Sequence, residues 1–225
     1  SVAAPGDDAS AVSACDAAAT ADAAAAMVLH TTRALPRLSG AADCRPRVIA
    51  AGALPPLLRL CSVGTPGADD AESGGTVDIA ARTIAKLCAH AESRPIIFAQ
   101  GGALALVAMC RRATGPLLLA TAVEALQCLS CVDAARPQLV EQAVVPLLVR
   151  ASELPPTADA LRCRGLAADT LRELSKDEVS RKRIVAEGAV KLLAQLCDTR
   201  EGSVCARAIA AAKALPGAGS GGGDK

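Results

Sequence analysis

Residues 45 to 61 read RPRVIAAGALPPLLRLC: an arginine, a short aliphatic run, a glycine, and a second aliphatic run opened by Pro55 and Pro56. The pattern returns as RPIIFAQGGALALVAMC at 94 to 110, RPQLVEQAVVPLLVRAS at 136 to 152 and RKRIVAEGAVKLLAQLC at 181 to 197. The starting positions are 49, 42 and 45 residues apart, inside the range of solenoid repeats. A second motif keeps step with the first. It is an octad with small residues early, Leu or Ile at its fifth position and Leu at its eighth: Thr31 to Leu38, Ala80 to Leu87, Ala122 to Leu129 and Ala167 to Leu174, with a weaker copy at Ala208 to Leu215 that carries Ala212 at the fifth position.

Positions one, two, five and eight of an octad fall on one stripe of a helix, so each octad presents one apolar face. One repeat therefore reads as a short helix, a turn at Gly52, Gly101 or Gly188, a second helix, a connection, and a third helix carrying the octad. Glycine supplies a left-handed turn at least steric cost, and Pro55, Pro56 and Pro146 sit at the start of second helices, where proline is tolerated. Two departures stand out: Ala143 replaces the turn glycine in the third full copy, and Pro36 lies inside the first octad, where it should end or kink the helix. A single repeat cannot bury its own apolar face. Stacking does so, and gives a superhelix with local contacts only.

The paired helices around the glycine, followed by the small-small-x-x-Leu-x-x-Leu helix, resemble the armadillo repeat over about residues 20 to 217. HEAT repeats, the nearest competitor, usually lack this glycine. The resemblance implies an all-α, right-handed α-solenoid of about four to five repeats. The expected organisation is an alanine-rich lead-in or capping helix at 1–20 and a solenoid at 21–217. The solenoid divides into a partial copy at 21–40 and full copies at 41–90, 91–132, 133–177 and 178–217. The Gly-, Pro- and acid-rich stretch 62–76 is expected to be a flexible loop and 218–225 a disordered tail.

Composition agrees with close-packed helices. The 225 residues include 52 alanines but one Phe and no Tyr or Trp, so the core is aliphatic. The net charge of +1 and the lack of stacking rings argue against nucleic acid. No apolar run approaches the ~20 residues of a bilayer span, so no membrane partner is expected. Asp7 and Asp8 stand where a targeting peptide would be basic. Ten cysteines in a chain this long, three of them (Cys61, Cys110, Cys197) at one repeated place, read as small buried hydrophobes of a reducing, cytoplasmic interior. A cytoskeletal or ciliary setting is a variant of that expectation. Cys128 and Cys131 form one CxxC without a second pair, and His30 and His90 are isolated, so neither a metal nor a cofactor is expected. No nucleophile-and-base arrangement, phosphate loop or HExxH is present, so a catalytic function is not expected.

The armadillo resemblance implies that third helices line a groove for extended peptides or partner helices. In the best-studied peptide-binding members the third octad position is Trp and the seventh is Asn, a ladder that holds a basic nuclear-localisation peptide. Here those places hold Arg33, Arg82, Glu124, Asp169 and Ala210, and Arg37, Lys86, Cys128, Glu173 and Ala214. The ladder is absent. Instead Arg33, Arg37, Arg82 and Lys86 make the first two rungs basic, and Glu124, Asp169 and Glu173 make the next two acidic. A protein partner carrying charge of opposite sign at each end would fit that gradient; ordinary solvated helix faces are the alternative. The basic triplet Arg181, Lys182 and Arg183 reads as a solvated helix start. The expected function is a non-enzymatic interaction scaffold. Two alternatives keep the fold: a nucleotide-exchange-type co-chaperone of a heat-shock ATPase, and a structural subunit of a large assembly such as a ciliary axoneme.

Overall fold

The computed structural model describes residues 44–63, 70–113, 115–155, 157–199 and 201–215. Among them twelve α-helices follow one another, and no strand occurs. They form four triplets. The first is α1 (Arg45–Ala50), α2 (Leu54–Val63) and α3 (Asp70–Cys88), and the second is α4 (Arg94–Ala99), α5 (Gly102–Arg112) and α6 (Pro116–Ser130). The third is α7 (Ala135–Glu141), α8 (Val144–Ser152) and α9 (Ala158–Leu174), and the fourth is α10 (Glu178–Ala186), α11 (Ala189–Cys197) and α12 (Gly202–Lys213). The lead-in 1–20, the partial copy 21–40 with Pro36, Arg33 and Arg37, and the tail 218–225 lie outside the described residues.

Local chemistry sets the boundaries. Pro46 and Pro95 stand in the first turns of α1 and α4, where a missing N–H costs nothing. Thr157 and Asp177 cap α9 and α10, their side-chain oxygens accepting from the amides of Ala160 at 3.2 Å and Ser180 at 2.8 Å. The sharp turn between first and second helices is the same in all four copies. Gly52, Gly101 and Gly188 have φ of 73°, 83° and 94°, and Ala143 holds the left-handed region at 54°. In each copy that residue's N–H donates to the carbonyl three residues back, from Gly52 to Ile49, Gly101 to Phe98, Ala143 to Val140 and Gly188 to Val185. The turn swings the segment Ala91–Ala99 through 86° into α5.

Ala143 is the one non-glycine residue with positive φ among the described residues, and its Cβ carries the strain of that conformation. Ala143→Gly is expected to stabilise the chain by about 0.5–1 kcal/mol, the strain relieved less the added freedom of the unfolded glycine. A urea titration reads this as a higher midpoint at unchanged slope.

Stacking follows the octads. The third helices α3, α6, α9 and α12 pack side by side in one row, and the second helices α2, α5, α8 and α11 in another. Ala80, Ile84 and Leu87, then Ala122, Leu126 and Leu129, then Ala167, Leu171 and Leu174 are all fully buried, so octad positions one, five and eight are the core. One contiguous apolar cluster runs from Leu54 to Leu215. Octad position two shows why neighbours matter: Ala81, Val123 and Ala168 are fully buried under the following repeat, whereas Ile209 in the last copy is 44% exposed. The second helices repeat the contrast, with Leu54, Ala103 and Val145 buried and the corresponding Val190 exposed.

The expected loop at 62–76 is shorter than its composition suggested. α2 runs through 63 and α3 begins at 70. Thr76 and Val77, at 2% and 8% exposure, are docked in the core, and packing of this kind outweighs the weak helix propensity of the local glycines and serine.

Candidate functional site: the third-helix face

Arginine organises the polar contacts of the stack. The residue that opens three of the quoted segments folds back onto the end of the preceding third helix. Arg94 Nε donates to the Cys88 carbonyl at 2.8 Å and its Nη2 to Ala89 at 3.1 Å. Arg136 Nε donates to Ser130 at 3.0 Å and Arg181 Nε to Ser175 at 2.9 Å. Each spans six residues and satisfies C-terminal carbonyls that a helix leaves without partners. Arg181, expected at a solvated helix start, is thus part of the packing, while Lys182 and Arg183 are exposed and pair with Glu178 and Glu187 on their own helix. Between repeats, Arg112 Nη1 reaches the Ser62 carbonyl at 3.1 Å, and Arg150 reaches those of Arg111 and Cys110.

The residues expected to line a groove occupy the row of third helices. Arg33 and Arg37 lie outside the described residues. Arg82 and Lys86 are exposed on α3, and Arg82 pairs with Asp78 one turn earlier. Glu124 on α6 accepts from Arg162 Nη2 of α9 at 2.5 Å. Asp169 on α9 lies 3.3 Å from Arg207 Nη1 of α12 and 3.7 Å from Arg172 Nη2. Glu173 is bound by Lys176 Nζ at 2.5 Å and faces Arg172 at 3.7 Å. The two pairs that bridge neighbouring third helices, Glu124 with Arg162 and Asp169 with Arg207, both span 38 residues (162 − 124 and 207 − 169). They are successive rungs of one ladder.

Gly165 makes the second rung possible. A Cβ there would sit 2.7 Å from Arg207 Nη1, so the guanidinium lies across bare helix backbone on its way to Asp169. The seventh octad position varies along the row: Lys86 is exposed, Cys128 and Glu173 are buried, and Ala214 is partly covered. Each carboxylate of the two expected acidic rungs is thus paired with at least one cation. Arg162, Arg172, Lys176 and Arg207 were not among the expected site residues. The recurring 38-residue spacing of acid and arginine was the available signal.

A concavity of about 430 Å³ lies between α1, α4 and the 3-10 turn Ala91–Ser93. Pro46, Ile49 and Ile96 form its apolar side, and Arg45, His90 and Glu92 its polar side. Desolvation, and then the charges of Arg45 and Arg94, hold the His90 imidazole below its ordinary range. The thiols are unpaired at all nine described cysteines. Burial pushes Cys61 and Cys110 up to about 12 and Cys163 up to about 11, and raises Cys88 further. These thiols are packing groups, protonated and inert at neutral pH. Cys197, at the corresponding place in the last copy, is partly exposed because no further repeat covers it among the described residues. No group of three or more His, Cys, Asp or Glu side chains that could hold a metal ion occurs among the described residues. Nor is any single described helix long and apolar enough to cross a membrane.

No protein-family model and no curated protein matches the chain. Solved structures do. A computationally designed armadillo repeat protein for modular peptide recognition superposes with a TM-score of 0.69 at 21% identity, over 82% of this chain and 74% of that one. A designed armadillo repeat protein in complex with the peptide (KR)4 superposes with a TM-score of 0.69 at 18% identity, over 83% of this chain and 74% of that one. An engineered protein gives a TM-score of 0.68 at 22% identity over 82% and 71%. This chain has four helix triplets, a left-handed turn after each first helix and third helices stacked through their octads. The chain folds as an armadillo-repeat α-solenoid.

Proposed function

We propose that the chain is a non-enzymatic scaffold that binds a protein partner along the row formed by α3, α6, α9 and α12. The observation that carries this reading is the ladder of charged side chains at regular repeat spacing on that row. Such a row offers an extended segment charged contacts on successive third helices. Designed proteins of this fold are made for peptide recognition, and one holds the peptide (KR)4. The unpaired thiols suit a reducing compartment such as the cytoplasm.

A second reading, a subunit of a larger assembly, is favoured by the exposed Val190 and Ile209 at the end of the stack, where earlier copies are covered. One experiment separates the two. Crosslinking mass spectrometry on the full chain with its co-purified partner should place crosslinks at Lys86 and Lys176, beside the row. Crosslinks confined to Lys182 and Lys191, on the first and second helices of the last repeat, would replace the groove reading with the assembly reading.

A further inference from the structure

The ion pairs on the third-helix row are asymmetric in depth. The cations Arg82, Arg162, Arg172, Lys176 and Arg207 keep between 43% and 53% of their side-chain surface in solvent. Their partners Asp78, Glu124, Asp169 and Glu173 keep between 7% and 36%. In every pair the carboxylate is the less exposed member. Five cations and four carboxylates nearly balance in number, so the sign a ligand meets is set by depth. At the third octad position of the last copy Ala210 brings no acid to offset them.

We infer that the partner of this row is an acidic polypeptide segment, its carboxylates seated on the guanidinium and ammonium groups of Arg82, Arg162, Arg172, Lys176 and Arg207. This rests on the groove reading above and names the chemical class of its ligand. It reverses the class bound by the structural neighbour that holds (KR)4. Two physical features favour it. A guanidinium has five donors in a planar fork, so Arg162 and Arg207 can hold Glu124 and Asp169 with one edge and offer the other to a ligand carboxylate. The paired carboxylates anchor the forks in place, so the ligand does not have to order a loose side chain.

The test uses the full chain and two labelled octapeptides, (DE)4 and (KR)4, in fluorescence anisotropy at about 50 and 200 mM salt. The (DE)4 peptide is expected to bind at least tenfold tighter than (KR)4, with affinity falling as salt rises. Arg162→Ala with Arg207→Ala should lower (DE)4 affinity tenfold or more. Lys182→Ala with Arg183→Ala, which removes the same charge from α10, should leave it within twofold. Two further variants guard against misfolding as the cause. Glu124→Gln with Asp169→Asn, whose amide oxygens can still accept from Arg162 and Arg207 while two competing negative charges are gone, should raise (DE)4 affinity, a gain that unfolding cannot mimic. Gly165→Ala, which displaces Arg207 without removing a charge, should lower it severalfold at unchanged helix content. Tighter binding of (KR)4, or (DE)4 binding that ignores Arg162 and Arg207, would overturn the inference. Failure of both peptides to bind would overturn it too, and would leave the groove reading to stand or fall on the crosslinks.

Discussion

Leu126→Ala is expected to lower the unfolding free energy by about 3 kcal/mol and to split a shared transition into two. Leu126 is fully buried at the fifth octad position of α6, and α6 packs between α3 and α9. Removing a buried leucine to Cβ costs about 2–5 kcal/mol as lost transfer energy plus the cavity left behind. In a stack, that loss falls on the interfaces with both neighbours. Nearest-neighbour coupling holds the repeats in one cooperative unit, so weakening a central interface lets the two ends melt separately. Calorimetry checks this as a second peak, or as a calorimetric enthalpy exceeding the van't Hoff value. Ile209→Ala, made at a side chain 44% exposed at the end of the row, should cost about 1 kcal/mol or less and leave a single transition.

The second large effect is alkaline unfolding. Cys61 and Cys110 are raised from 9.0 to about 12, Cys163 to about 11 and Cys88 higher still, all chiefly by burial. In the unfolded chain these thiols lose protons near their ordinary pKa, while in the native state they keep them. Above pH ~9 the unfolded state therefore binds fewer protons, and stability falls as pH rises. The contribution is fully present below ~9 and is lost toward the raised native values. Each thiol costs about 1.4 kcal/mol per pH unit in that window. Several acting together would exhaust a typical ~10 kcal/mol within two to three units. Urea midpoints under reducing conditions should hold nearly level from pH 8 to 9 and drop steeply at pH 10 and 11. Cys61→Ala, Cys88→Ala and Cys110→Ala combined should flatten that dependence even if the starting stability is lower. An unchanged slope would contradict burial of these thiols.

The helical repeat was legible because its signals are local. Glycine at a left-handed turn and Leu at the fifth and eighth octad positions act within a few residues of where they stand, and Ile84, Leu126 and Leu171 are buried where the pattern puts them. The polar surface was not, because its partners come from elsewhere. Arg162 meets Glu124 only because α9 starts early enough to carry it past α6, and Arg207 reaches Asp169 over Gly165. The beginning of α3 failed for a related reason. Glycines between 70 and 76 read as loop in isolation, yet Thr76 and Val77 are held by packing.

Arg94, Arg136 and Arg181, and across repeats Arg112 and Arg150, all donate to main-chain carbonyls. Such an acceptor is present whatever residue carries it. A neighbouring copy can then change its side chains without breaking the bond that joins it to the next, as the acceptors Ser62 and Cys110 are unlike residues bound in the same way. Duplicated copies linked in this way can drift apart in sequence while their joints persist. The arginines, which outnumber the lysines 18 to 6, supply couplings that work between unlike units.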